Sequence, residues 1–347
     1  MVACAIGLAY FGLFARRPRA PIDAIPGDSF LVATVNGEAL RSSPFRSPFV
    51  SLVDGRLRLP AGCPLKASER IDEAALSIPK GERSELAVAI SGRASGDELA
   101  TCRGVFPGSS TKTRAGSFEL TGDPTGVRVG LSARGPLIIG LGSWPEALAN
   151  VADGTAPGLG SSSPHATLRA SLTARLAFPP AVLVTVVPPK TLREDLRTFL
   201  GGEGAAKAAS LLQIDAIGLA MSPGEKGKDA ELVFEAHCET ETACLDAREF
   251  LMARRFDLSQ KLGARLAGFG RLLDAFTAEA KGSQVFASTH DSADAVAKSL
   301  EGVVTRYLRP DEPAPSATAR PTQRPVERAP DEVLTPRGNN ARDAGGI

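Results

Sequence analysis

Aromatic side chains are scarce in this chain. They make up 5% of it, with a single Trp and two Tyr. Stacking platforms for single-stranded nucleic acid need such rings, so that function class drops out. A surplus of one charge is missing too. Forty Lys and Arg face 39 Asp and Glu, for a formal net charge of +1. No excess of cations is left to displace counterions from phosphates, and nucleic acid is not an expected partner. Histidine is limited to three residues and cysteine to five. No catalytic signature stands out among them, and the sequence assigns no catalytic, cofactor-binding or metal-binding residue.

What is present fits a folded chain. Hydrophobic residues make up 43% of the 347 and charged residues 23%, which excludes a mostly disordered protein. The length suits two domains or one duplicated unit. Arg outnumbers Lys by about three to one amid abundant Ala, Gly and Pro, a composition expected of a GC-rich, bacterial genome.

Val2 to Ala15 is apolar and uncharged, and Arg16, Arg17 and Arg19 follow it. Fourteen residues would cover about 21 Å as a helix, short of the roughly 30 Å hydrocarbon core. The run reads as the apolar part of a signal peptide, as a buried helix, or as the end of a transmembrane anchor whose basic start lies upstream. The third reading is the expectation, with the body outside the cytoplasm and the membrane contacted through this segment. The arginines after the run argue the other way, because positive residues favour the cytoplasmic side. Cys4 falls inside the run and reads as part of an apolar helix. The other four cysteines divide two to each half. In an oxidising compartment the expectation is one disulfide per half, Cys63–Cys102 and Cys238–Cys244, although sequence alone permits three pairings; four buried thiols are the competing reading.

A faint internal repeat with an offset of about 145 residues organises the middle. Leu31-Val32-Ala33-Thr34-Val35, followed by Leu40-Arg41, matches Leu183-Val184-Thr185-Val186, followed by Leu192-Arg193. Ile71-Asp72 to Leu76 matches Ile214-Asp215 to Leu219, and each is followed by a Pro/Gly turn and a further strand, Glu85 to Gly92 and Ala230 to His237. Pro136 to Leu141 before a helix matches Ser283 to Ala287 before another. The expected fold is α+β, with two related strand-helix-hairpin-strand-helix units, antiparallel or mixed sheets, and helices packed on one face. The insert of the first unit is two strands, Gly116 to Thr121 and Val127 to Ala133. That of the second is helical, Asp246 to Arg255 and Leu258 to Ala280. An extra strand is expected at Ala166 to Leu172. The domain plan is 1–24 anchor and basic linker, 25–155 first repeat, 156–164 Gly/Ser/Pro linker, 165–308 second repeat, and 309–347 disordered Pro/Arg-rich tail.

Ile25-Pro26-Gly27-Asp28-Ser29-Phe30-Leu31-Val32 resembles the opening of membrane-anchored bacterial proteins of unknown function. The resemblance implies an extracytoplasmic α+β module and no activity. Three local patterns invite chemistry, and each has a plainer explanation. His237-Cys238 with Cys244 and the nearby Glu235, Glu239 and Glu241 is the nearest approach to a metal site, but adjacent strand residues point to opposite faces. Ser288-Thr289-His290-Asp291-Ser292 holds nucleophile and base types, yet its position before a helix suits capping. Gly140-Leu141-Gly142-Ser143 has no third glycine and no lysine for a phosphate loop, and reads as a tight turn. The expected function is a non-enzymatic cell-envelope protein that binds an unidentified protein or small ligand, with the cleft between its halves as the candidate place. The alternative is an extracytoplasmic enzyme with dispersed catalytic residues. A polar pocket with His165, His237 or His290 beside a carboxylate would favour the enzyme, and an apolar groove would favour binding.

Overall fold

Leu31-Val32-Ala33-Thr34-Val35 is aliphatic on both faces of a strand, a pattern that places the strand inside a sheet with no fully wet side. The computed structural model describes residues 20–56, 62–63, 66–81, 85–93, 97–98, 101–102, 111–123, 126–133, 135–160, 162–195, 198, 209–266 and 268–307. The N-terminal apolar run with Cys4, and the tail after 308, lie outside the described residues. The chain runs through β1 (Ser29–Asn36), α1 (Gly37–Arg41), α2 (Arg46–Arg56), α3 (Ala67–Arg70), β2 (Ile71–Pro79) and β3 (Ala87–Gly92). A meander follows: β4 (Lys112–Ala115), β5 (Phe118–Gly122), β6 (Val127–Leu131) and β7 (Leu137–Leu141). Then come α4 (Trp144–Asp153), α5 (Pro164–Arg175), β8 (Val182–Val186), β9 (Ile214–Pro223) and β10 (Asp229–Cys238). The chain continues with α6 (Glu241–Ser259), α7 (Leu262–Leu266), α8 (Gly270–Ala275), β11 (Thr277–Lys281), β12 (Gln284–Ser292) and α9 (Ala293–Tyr307).

The protein is α+β, built on one 12-stranded sheet in the order β11-β12-β10-β9-β8-β1-β2-β3-β7-β6-β5-β4. All its pairings are antiparallel. β1 and β8 join at the centre, from Leu31 opposite Val186 to Val35 opposite Val182.

Helices lie on both faces, which corrects the one-face expectation. On the face that carries Val32, α4 sets Trp144, Leu148 and Ala149 over Ala75, Ala87, Ala89 and Ile138. On the same face Leu172 of α5, with Leu176, covers Leu183, Ala220 and Val233. On the face that carries Ala33, Leu40, Phe45 and Phe49 meet Ala293, Val296 and Ala297 of α9 over Met221 and Ala230. Further along that face, α6 lays Ala243, Cys244 and Ala247 on Ala236, Cys238 and Val285. Both faces need cover because the central strands are aliphatic on both.

Other expectations need correction. Ala166 to Leu172 is helix, not strand: Ser163 caps it by accepting from Ala166 N at 3.2 Å, Pro164 opens it, and His165, Leu168 and Leu172 share its buried side. The long second-half helix breaks after Ser259, and its expected end is the edge strand β11. Ser288 to Ser292 continue β12. A transmembrane helix is not supported: among the described residues no helix is long and apolar enough to cross a membrane.

The ladder tests the repeat. The matched Leu-Arg and Ile-Asp pairs form the same ion pair twice, Arg41–Asp72 at 2.9 Å and Arg193–Asp215 at 3.1 Å. With Ile71 set on Ile214, the pairings Leu31–Ile78 and Val182–Met221 align Leu31 with Val182, one residue from the sequence match. The third block departs further. The pairings align Ile139 with Ala287, and the helices that follow lie on opposite faces.

Leu172 is fully buried, and a Cβ at Gly218 would run into its Cδ1. Leu172→Ala is expected to cost about 2–5 kcal/mol in urea unfolding. A loss under about 1 kcal/mol would show that α5 is not seated on the sheet.

Candidate functional site

The two faces of the central strands differ in exposure. Val32, Ala75, Ala87, Ala89, Ile138, Leu183 and Ala220, on one face, are buried. Their neighbours on the other face form a cross-strand row, Ile139–Val88–Leu76–Ala33–Val184–Leu219, one residue from each of six adjacent strands. The first five of these are half-buried, and Leu219 is 42% exposed. Leu31, Ile78 and Val186 flank the row and are half-buried too. Six strands at about 4.8 Å spacing make this aliphatic band about 24 Å long. Aliphatic surface left in contact with water is costly, which makes this row the candidate surface for contact with another molecule.

A polar cluster sits on the Val32 face of β10, the strand beside β9. Glu235 of β10 is fully buried. Ser171 of α5 donates to its Oε2 at 2.5 Å, and His237 Nε2 lies 2.7 Å from its Oε1. The Arg175 Nε lies 3.6 Å from Oε2, and its guanidinium covers the Phe286 ring at 3.4 Å. Burial alone would raise the Glu235 carboxyl. The hydrogen bonds from His237 and Ser171, with the charges of His237 and Arg175, outweigh it and hold the group below the usual carboxylate range. The carboxylate stands between serine and imidazole. Ser171 therefore gives its proton to Glu235 and not to a histidine base, which is not the order of a nucleophilic triad.

His165 is used in a different way. Its Nε2 donates to Ser29 O at 3.0 Å, and its Nδ1 accepts from Thr185 Oγ1 at 2.7 Å, so α5 is tied to both β1 and β8. Burial pushes its pKa below 6.5, opposed by the Ser29 hydrogen bond and assisted by the charges of Lys80 and Arg169. Arg169 itself is pushed down to about 10 by burial. His290 is exposed on β12 opposite Glu231, and Ser288 Oγ pairs with Thr277 Oγ1 at 3.1 Å rather than with it. Ser292 Oγ does cap α9, accepting from Ala295 N at 3.4 Å.

The cysteines form two disulfides, Cys63–Cys102 and Cys238–Cys244, with Cα separations of 4.3 and 5.6 Å. Both are compatible with export to an oxidising compartment. His237 and Cys238 do point to opposite faces, the first toward Glu235 and the second into the core under α6. Among the described residues no group of three or more His, Cys, Asp or Glu is arranged to hold a metal ion. The Gly140–Ser143 turn already holds an anion of the protein itself: Ser143 N and Oγ donate to the Glu85 carboxylate at 2.8 and 3.1 Å. Gly142 has a φ of 67°, a conformation that favours glycine.

No protein-family model matches the chain, and no curated protein matches it. Its fold is similar to two crystal forms of TP0453. Form I gives a TM-score of 0.43 and form III 0.46, each at 10% identity, over 82% of this chain and 97% and 98% of that chain. Likeness at that level says nothing about activity.

The His165 geometry sets a pH dependence. Its folded pKa is lowered, so the unfolded chain takes up a proton near 6.5 while the folded chain does not. Its contribution is therefore full above that pH and is lost as the pH falls below it. The melting temperature is expected to drop between pH 7 and 5.5 more steeply in the wild type than in His165→Gln. Equal slopes would show that His165 protonates freely in the folded protein.

Proposed function

We propose that the protein is an exported, non-enzymatic binding module, and that the half-exposed aliphatic row around Ala33 and Val184 takes up an apolar ligand. The observation that carries this reading is the asymmetry of the central strands. Their Val32 face is dry, while an equally aliphatic opposite face keeps contact with water. A ligand laid along the row would remove that surface from water at about 25 cal/mol per Å². The two disulfides support the oxidising compartment. We further propose that the halves derive from a duplicated unit whose third block has diverged. The repeated Arg–Asp pair and the placement of β1 beside β8 support this. The row crosses the line where the two units meet.

One contact favours the enzyme as a second reading: His237 beside the buried Glu235. The arrangement orients an imidazole and assembles no nucleophile with it, so the binding reading stands first.

Uptake of N-phenyl-1-naphthylamine, which fluoresces in apolar surroundings, tests the proposal. The wild type is expected to bind the probe, and Leu219→Glu is expected to weaken it about tenfold, roughly 1.4 kcal/mol. Phe178→Glu, at a residue 40% exposed away from the row, serves as the control and leaves uptake unchanged. Equal uptake by Leu219→Glu and wild type would remove the row as the binding face.

A further inference from the structure

α6 is apolar on two sides. Its inner side lays Ala243, Cys244, Ala247 and Leu251 on the sheet. Its C-terminal half also carries Phe250, Ala253 and Phe256, and residues three apart are neighbours on a helix surface. All three are exposed, Phe256 by 64%. Leu258, near the end of α6, and Leu262, which opens α7, are exposed as well, Leu262 by 70%. Seven large apolar side chains of the described residues are exposed, and four of them lie from Phe250 to Leu262. Scattered ones need no explanation; a concentration does.

Cations are set among them. Arg254 lies over the Phe250 ring at 5.2 Å with its own side chain largely in water, and Asp257 reaches it only at 3.8 Å. Arg255 donates to the carbonyls of Leu273 and Asp274 at 2.7 and 3.0 Å. Lys261 is exposed beside Leu262. The Asp274 carboxylate meets Arg265 at 3.5 Å, and Arg271 lies on the same helix as Asp274. From Phe250 to Asp274 five cations stand against two carboxylates. Glu241, Asp246 and Glu249 belong to the first half of α6, and Glu279 of β11 points to the opposite face of the sheet, beside Phe286. On α9, which meets Gly268 through Ser299, Asp294 and Lys298 cancel and Glu301 accepts from Ser47. The helix dipole favours acids early and bases late along α6, but it gives no reason for bare Phe and Leu among the bases.

We propose that the C-terminal half of α6 and the start of α7 dock on an anionic lipid bilayer, with Phe250, Phe256 and Leu262 between the headgroups and Arg254, Lys261 and Arg265 on the lipid phosphates. Phe and Leu interleaved with Arg and Lys is the mixture that a bilayer interface accepts. A second copy of the chain would set like charges against each other. The outer side of a helix is convex and gives a small apolar molecule no concave site. The contact lies in the headgroup layer and does not cross it: among the described residues no helix is long and apolar enough to span a membrane. This docking goes beyond the apolar uptake proposed for the Ala33 face and does not depend on it.

Co-sedimentation of the full chain with vesicles tests the docking, using phosphatidylcholine with about one-quarter phosphatidylglycerol against phosphatidylcholine alone. The wild type is expected to partition about tenfold more strongly onto the anionic vesicles and to lose that preference in high salt. Phe256→Glu combined with Leu262→Glu is expected to weaken that partition about tenfold. Arg254→Gln combined with Lys261→Gln should remove most of the preference for anionic lipid. Phe178→Glu, at an exposed residue after α5, leaves both unchanged. Phe256→Trp reports which part of the chain touches lipid, because Trp144 is buried. Its emission is expected to move to the blue on anionic vesicles and to be quenched by brominated lipid. Equal partition by the wild type and the Phe256→Glu, Leu262→Glu variant would overturn the proposal. So would equal partition onto the two kinds of vesicle, or a reporter that stays in water while the protein sediments with lipid. A wild type that stays in the supernatant with both vesicles removes the docking surface outright. None of these outcomes bears on probe uptake by the Ala33 face.

Discussion

The pairing of β1 with β8 is the constraint on which the rest of the structure depends. Five residue pairs, Leu31–Val186 through Val35–Val182, join the first seven strands in the chain to the last five in one ladder. Antiparallel pairing at this line sends the chain after β1 and the chain after β8 to opposite ends of the sheet. The Arg41–Asp72 pair then forms at one end and the Arg193–Asp215 pair at the other. His165 reinforces the joint from above, hydrogen-bonded to Ser29 of β1 and Thr185 of β8. Ser29 in turn accepts from Ser77, which accepts from Trp144 Nε1 at 3.1 Å. Polar groups from α4, β2, β1, α5 and β8 are satisfied in one buried chain. Loss of any one member would leave a partner unpaired away from water, at about 1–3 kcal/mol.

The same joint creates the unequal faces. Small residues on the Val32 face, including Ala75, Ala87, Ala89, Gly218 and Ala220, let α4 and α5 come close and exclude water. On the Ala33 face the helices gather toward the ends: α1, α2 and α9 near Val35 and Val182, and α6 near Phe234 and Val285. Aliphatic side chains along the middle keep part of their surface in water. The Glu235 cluster lies on the dry face and is filled by its own chain, from Ser171 to Arg175. Its geometry is that of a structural anchor for α5.

Much of this was legible in the sequence because the signals are local. The short apolar runs Leu31–Val35 and Ile214–Leu219, bounded by turn residues, mark strands, and two cysteines in each half suggest one disulfide per half, the pairing that forms. The recurrence of Leu-Arg and Ile-Asp pairs is visible as a match, but the charge pair that explains it needs segments well separated in sequence, Arg41 with Asp72 and Arg193 with Asp215, to meet in space. Ala166 to Leu172 reads as a strand because Ala166-Thr167-Leu168-Arg169 alternates, yet it lies within the helix Pro164–Arg175. The cap at Ser163 and the proline at the first helical position were the signals that outweighed the alternation. β11 was misread because Thr277–Lys281 carries two alanines and two charges and has no β-branched core residue; its partner β12 makes it a strand. The open aliphatic row was not legible at all. Val32 and Ala33 look alike in composition, and only the placement of helices decides which of them is dry.

The central claim is that neighbouring residues of β1 face a dry core and a binding surface. Thiol labelling in the native protein tests it most directly. Val32→Cys and Ala33→Cys, each in a Cys4→Ser background with both disulfides intact, place a reporter on either face without changing much volume. The account predicts that Cys introduced at position 33 reacts with a small maleimide in the folded state and is protected by an apolar ligand. It predicts that Cys at position 32 reacts only when the whole sheet unfolds. Equal protection at both positions in the folded, ligand-free protein would contradict it.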